Sequence, residues 1–143
     1  MADLIRPDDL KKISNDADMK KAQEDLARAK KQEEEQRTMR ELFMKEEDVP
    51  PSAVDRVNST LRRAAEQGLH EVQVFSFPAS YCSDRGRRIN NNEPDWPDSL
   101  AGHAKNAYTY FQKELRPLGY KIRVEILDYP GGMPGNVGLF LSW

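Results

Sequence analysis

The feature that most constrains this chain is the stretch from Asp16 to Lys45, which contains neither glycine nor proline. It is built mostly from alanine, lysine, glutamate, glutamine, arginine, leucine and methionine, which all favour the α-helix. The sequence therefore predicts a long helix that ends before Val49-Pro50-Pro51, because proline does not continue a helix.

The apolar residues of this helix form only a short seam. Met19 and Leu26 occupy one heptad position, and Ala22 and Ala29 occupy the other, but polar residues follow at both positions. The pattern indicates a poor autonomous coiled coil. Two interpretations remain: a solvated helix with side-chain ion pairs, or a helix that docks or self-associates through apolar residues near its C-terminal end. Those candidates are Met39, Leu42, Phe43 and Met44.

Charge divides the chain into two parts. Residues 1–48 hold 11 basic and 14 acidic residues, whereas residues 49–143 hold 11 basic and 10 acidic residues. The second part also has the apolar periodicity of a packed domain. We therefore expect a charged N-terminal segment, 1–48, and a compact domain, 49–143.

The compact domain is predicted to have an α+β fold. A helix is predicted from about Ala53 to Gln67, with Ser52 and Asp55 as a variant capping box, and another from Asp95 to Leu115. Strands are predicted at 69–77, where both faces would be buried, at 120–126, and from Val137 to the C-terminal Trp143. The expected fold is a small two-layer domain with an extended N-terminal helical arm. Its mixed three-stranded sheet would combine a parallel β-α-β crossover with a C-terminal antiparallel hairpin.

Cys82 and Arg88 are the only residues whose spacing suggests catalysis. Five residues separate them after a predicted strand, and this spacing resembles the phosphate loop of cysteine-dependent phosphatases. The resemblance implies a thiolate nucleophile at Cys82 and a phosphate clamp at Arg88. It departs from that family because Asp84 would place a negative charge in the anion site. The alternative interpretation of Cys82, a small buried apolar side chain, is the one we favour.

The same segment carries a basic cluster at Arg85, Arg87 and Arg88. Such a cluster suits phosphate contacts, so an RNA-binding or ribosome-associated module is an alternative function, with Lys121 and Arg123 extending the patch. Nearby carboxylates offer a structural alternative, in which the arginines form salt bridges within one loop.

The glycine-rich stretch from Pro130 to Asn136 lies between two predicted strands and holds no lysine, so it predicts a hairpin loop rather than a phosphate cradle. It is longer than a hairpin requires. We therefore predict that it presents Tyr129 and Met133 to a partner.

Composition excludes several classes. The net charge of −2 gives no general attraction to nucleic acid or anionic membrane, and no run of about 18 apolar residues is present. The N-terminus lacks the order of a signal peptide, and one cysteine forms no internal disulfide, so a cytoplasmic location is expected. No cofactor or metal site is predicted. The function expected is a non-catalytic protein-protein interaction or adaptor protein, acting by docking or self-association.

Overall fold

The computed structural model describes residues 4–45 and 47–143. The chain divides into two compact units, the first ending at Leu42 and the second being Phe43–Trp143. The helices are α1 (Pro7–Met44), α2 (Pro51–Glu66), α3 (Arg87–Asn90) and α4 (Gly102–Tyr110), and α4 continues as a π-helical turn, Phe111–Leu115. The strands are β1 (Glu71–Pro78), β2 (Lys121–Ile126) and β3 (Asn136–Ser142). The α+β class, the long N-terminal helix and the three-stranded sheet are thus confirmed.

The predicted parallel crossover is wrong. The strand order is β1-β3-β2, and β3 pairs antiparallel with both neighbours, so the sheet is entirely antiparallel. Strands β1 and β2 run in the same direction but never pair, because β3 returns from the hairpin into the space between them. The physical reason lies in β3 itself: Val137, Leu139 and Leu141 are all buried, and the central position covers an apolar strand best.

Strand β1 has one buried face rather than the two that were predicted. Its register shifts between Gln73 and Phe75, which marks a β-bulge at Val74. The bulge allows Val74 and Phe75, although adjacent, both to pack against the core, while Gln73 and Ser76 are exposed. A bulge therefore explains the apolar sequence that had suggested burial on both faces.

Both helix starts differ from prediction. Helix α2 begins after Pro50, and no side-chain cap hydrogen bond is formed there, so the proposed capping box is absent. Helix α4 begins at Gly102 rather than at Asp95, because a 3₁₀ turn, Trp96–Ser99, and an extended Leu100 come first. Leu100 nevertheless belongs to the core, as its periodicity indicated.

The last residues of α1 are part of the second unit. The Phe43 ring lies 4.7 Å from Tyr81, 5.7 Å from Phe77 and 5.4 Å from His103, measured between ring centroids. Gly102 lies against the backbone of Phe43 and Met44. The compact unit thus begins six residues before the boundary expected from charge, because an aromatic anchor precedes the proline pair.

Candidate functional site

Helix α1 presents apolar side chains to solvent along its length. None of its residues is buried. Leu10 and Ile13 are 48% and 61% exposed, and Met19 and Leu26 are 63% and 58% exposed. Of the predicted interaction residues, Met39 and Leu42 are also exposed, whereas Phe43 and Met44 are half-buried in the compact unit.

The exposed apolar residues of α1 lie on two opposite faces. Nine residues, about two and a half turns, separate Leu10 from Met19, so these side chains point away from each other. Met39 is twenty residues after Met19, about five and a half turns, and so shares the face of Leu10. Met19 and Leu26 are seven residues apart and share one face. The helix therefore carries short apolar patches rather than one continuous stripe.

The segment between β1 and α4 is organised by Asp84. Its Oδ1 accepts a hydrogen bond from Gly86 N–H and its Oδ2 accepts one from Arg88 N–H, both at 3.0 Å. The Asp84 carboxylate therefore binds the backbone at the start of the short helix α3. This role explains the aspartate that departed from the phosphatase pattern.

Cys82 has the properties of a core residue. Its side chain is buried with Phe77, Ile89 and Leu100. Burial, and to a lesser extent the neighbouring Asp84 carboxylate, raise the pKa of its thiol to about 11. At neutral pH the side chain is therefore the protonated thiol, whereas attack on phosphorus requires the thiolate.

The three arginines of the basic cluster have different environments. The Arg88 Nε lies 3.2 Å from Asp95 Oδ2, and its NH1 lies 3.7 Å from Asp84 Oδ2. Arg85 and Arg87 are exposed. The salt-bridge interpretation thus applies to Arg88, while two of the three guanidinium groups face solvent.

The loop between β2 and β3 is held closed by its own backbone and by Asp128. The Asp128 Oδ1 accepts a hydrogen bond from Asn136 N–H at 2.6 Å, and the Asp128 carbonyl accepts one from Gly135 N–H at 2.9 Å. Tyr129 donates its hydroxyl to Asn90 Oδ1 at 2.7 Å, which ties the loop to the end of α3. Tyr129 and Met133 are 53% and 66% exposed. The loop is therefore braced, with both of these side chains exposed.

Arg123 does not extend the basic cluster, because carboxylates on the outer face of the sheet bind it. Its NH2 lies 2.7 Å from Glu71 Oε1, its Nε donates to Glu71 Oε2 at 3.1 Å, and it also pairs with Glu125. The guanidinium spans the central strand, 4.3 Å from the centroid of the Phe140 ring. These contacts lower the pKa of Glu71, chiefly through the hydrogen bonds from Arg123.

The compact unit also contains a cleft of about 500 Å³ between α2 and α4, which the sequence analysis missed. The core face of the sheet forms its floor, with Leu139 and Leu141 from the central strand and Val74, Phe75 and Ile122 from the edges. Ala53, Val54 and Val57 line the α2 side. Ala107, Tyr110 and Phe111 line the α4 side.

Exposed polar residues surround the mouth of this cleft. Glu47 and Asp48 come from the segment before α2, Arg56 from α2, and Glu114 from the π-helical turn. A sequence signal for the cleft does exist: small alanines on the apolar faces of both helices, at positions 53 and 107. Helix periodicity alone does not distinguish such alanines from close helix packing.

Across residues 4–45 and 47–143, no group of three or more histidine, cysteine, aspartate or glutamate side chains is placed to hold a metal ion. Within the same ranges, no helix has both the length and the apolar character needed to cross a membrane.

Comparison with known proteins gives no match to this chain, whether against protein-family models, curated proteins or solved structures.

Proposed function

We propose that this chain is a non-catalytic interaction or adaptor protein of the cytoplasm, which docks onto a partner protein or a second copy through its long N-terminal helix. The observation that carries this proposal is the exposure of apolar side chains along α1, none of whose residues is buried. Helices in proteins derive most of their stability from packing an apolar face, so a helix of 38 residues in which only the last two, Phe43 and Met44, are even half-buried favours a partner.

The patch best suited to docking is the face of Met19 and Leu26. Ala22 lies between them along the helix, and Ala29 follows Leu26 by three residues. These small side chains allow the backbone of another helix to approach closely. Two heptads give a short contact, which suits a reversible association. The exposed Met133 supplies a further candidate contact on the compact unit.

RNA binding has weaker support. Arg88 and Arg123 are engaged with carboxylates, which leaves Arg85, Arg87 and Lys121 as the other members of the proposed patch, all of them exposed. Since each phosphate contact adds a limited, salt-dependent increment of affinity, three basic side chains favour RNA much less than the apolar faces of α1 favour protein.

The test replaces Met19 and Leu26 together with glutamate. Full burial of a methionine or leucine contributes about 1.5–3 kcal/mol, so the double change should weaken association through this face at least about tenfold. Association is measured by sedimentation over a range of protein concentrations, and by affinity capture of partners followed by mass spectrometry.

The matched control is Ala27→Glu with Gln32→Glu, which adds the same charge to α1 outside this face. The control should associate as the native chain does. If Met19→Glu/Leu26→Glu also leaves sedimentation and partner capture unchanged, docking through this face of α1 is excluded.

A further inference from the structure

We propose that the cleft between α2 and α4 binds a small molecule that has an apolar body and a positively charged amine. This site lies within the compact unit and is independent of docking through α1. Its support comes from the size of the cleft, the chemistry of its floor and the charge around its mouth.

The size of the cleft is that of a small-molecule site. Small-molecule sites in proteins typically measure about 300–1,000 Å³, and this cleft holds about 500 Å³. A ligand with an apolar chain of about ten carbons fits within this volume.

The floor of the cleft requires an apolar ligand body. It consists of aliphatic and aromatic side chains, including Leu139 and Leu141, from the core face of the sheet. A polar group placed there would lose its hydrogen bonds to water without replacement, which is unfavourable. The charged or polar end of a ligand must therefore lie at the mouth.

The mouth favours a cation. The described residues that surround it include three carboxylates, those of Glu47, Asp48 and Glu114, against the single guanidinium of Arg56, which gives a net charge of −2. An ammonium group is attracted to this mouth and a carboxylate group is repelled. The ligand class is therefore an amphiphilic amine rather than a fatty acid.

The experiment compares three probes with one apolar body, decylamine, decanol and decanoate, each titrated into the full chain below its micelle concentration. Calorimetry measures affinity, and amide chemical shifts locate the site. We expect decylamine, protonated at neutral pH, to bind most tightly, decanol less tightly and decanoate least, with the shift changes confined to α2, α4 and the sheet floor.

Two pairs of variants test the site itself. Ala53→Phe places a ring in the cleft and should reduce decylamine affinity at least tenfold, whereas Ala65→Phe, on α2 but outside the cleft, should leave it unchanged. Glu114→Gln should weaken decylamine about two- to fivefold with no effect on decanol, because one exposed charge interaction is removed. Glu66→Gln, also outside the cleft, should change neither affinity.

The proposal is overturned if decylamine shows no saturable binding, if decanoate binds as tightly as decylamine, or if Glu114→Gln and Ala53→Phe both leave decylamine affinity unchanged. An oligomer that dissociates on Ala53→Phe, without decylamine binding to the native chain, would instead assign the cleft to a second copy. Any of these results leaves docking through Met19 and Leu26 to be judged by its own variants.

Discussion

A single glycine sets the geometry at the start of the compact unit, where the backbone of Gly102 lies against that of Phe43 and Met44. Gly102 has φ of +55°, a backbone conformation that favours glycine. A Cβ at this position would lie less than 3.0 Å from the backbone of Phe43 and Met44. Backbone, unlike a flexible side chain, does not move aside locally. Gly102 is therefore required both for its conformation and for the close approach of the Phe43 and Met44 backbone.

We predict that Gly102→Ala lowers the free energy of unfolding by about 3 kcal/mol. About 1 kcal/mol comes from the positive φ, and the rest from displaced backbone contacts. Gly68→Ala is the matched control, because Gly68 has φ of +82° with no atom within 4 Å of its added Cβ. Gly68→Ala should lower the free energy of unfolding only by the contribution of the positive φ, about 1 kcal/mol. Urea denaturation measures both values, and equal losses would show that the backbone of Phe43 and Met44 does not constrain Gly102.

At the scale of elements, the outer face of the sheet is crosslinked by one arginine. Arg123 on β2 reaches across β3 to Glu71 on β1, so a single ion pair connects both edge strands. The pair is diagonal, because Arg123 is in register with Phe140 of β3 whereas Glu71 is in register with Ser142. Alternation along β2 predicts that Arg123 faces outward, but not that it reaches Glu71.

We predict that this ion pair makes stability depend on pH in the acid range. Hydrogen bonds from Arg123 hold the pKa of Glu71 below its ordinary value of 4.5. The ion pair therefore makes its full contribution to the free energy of unfolding above pH 4.5. It is lost as the pH falls through the lower pKa of the folded state. The contribution should be about 0.2–1 kcal/mol, because both groups are substantially exposed.

The measurement compares the native chain with Glu71→Gln by urea denaturation at several pH values. The difference between them should be greatest at neutral pH and should shrink toward pH 3. The Glu66→Gln variant, on α2, provides the control for loss of a surface carboxylate. A difference that stays constant with pH would indicate that Glu71 contributes by packing rather than by charge.

At the scale of the whole molecule, the start of the compact unit and the change in charge along the chain lie at different residues. The compact unit starts at Phe43, whose ring packs against three aromatic rings of this unit and against His103. The segment after α1 therefore connects Phe43, which is anchored in the core, to the rest of the compact unit. Charge counts alone place the boundary after this anchor, at residue 48.

We predict that a chain of residues 43–143 unfolds with nearly the same free energy as the compact unit of the full chain, whereas a chain of residues 49–143 loses about 2–4 kcal/mol. The loss reflects a half-buried phenylalanine removed from the core. Denaturant unfolding followed by tryptophan fluorescence measures both. Phe43→Ala in the full chain should reproduce most of the loss, and equal stability of the two shortened chains would show that Phe43 is not an anchor.

The sequence by itself determined the elements whose cause is local. A long stretch of helix-favouring residues predicts α1, and strict alternation predicts β2 and the buried face of β3. These features depend on backbone propensity and on the period at which side chains recur, and both can be read along the chain.

Only the tertiary structure decided how these elements combine. Four features depend on contacts between residues that are far apart in the sequence. They are the central position of β3, the bulge at Val74, the pairing of Arg123 with Glu71 and the cleft between α2 and α4. Alternation identifies the buried face of a strand but does not specify its neighbours. The pairing that buries the most apolar surface in this small domain selects the antiparallel sheet, and the placement of its two covering helices leaves the cleft open.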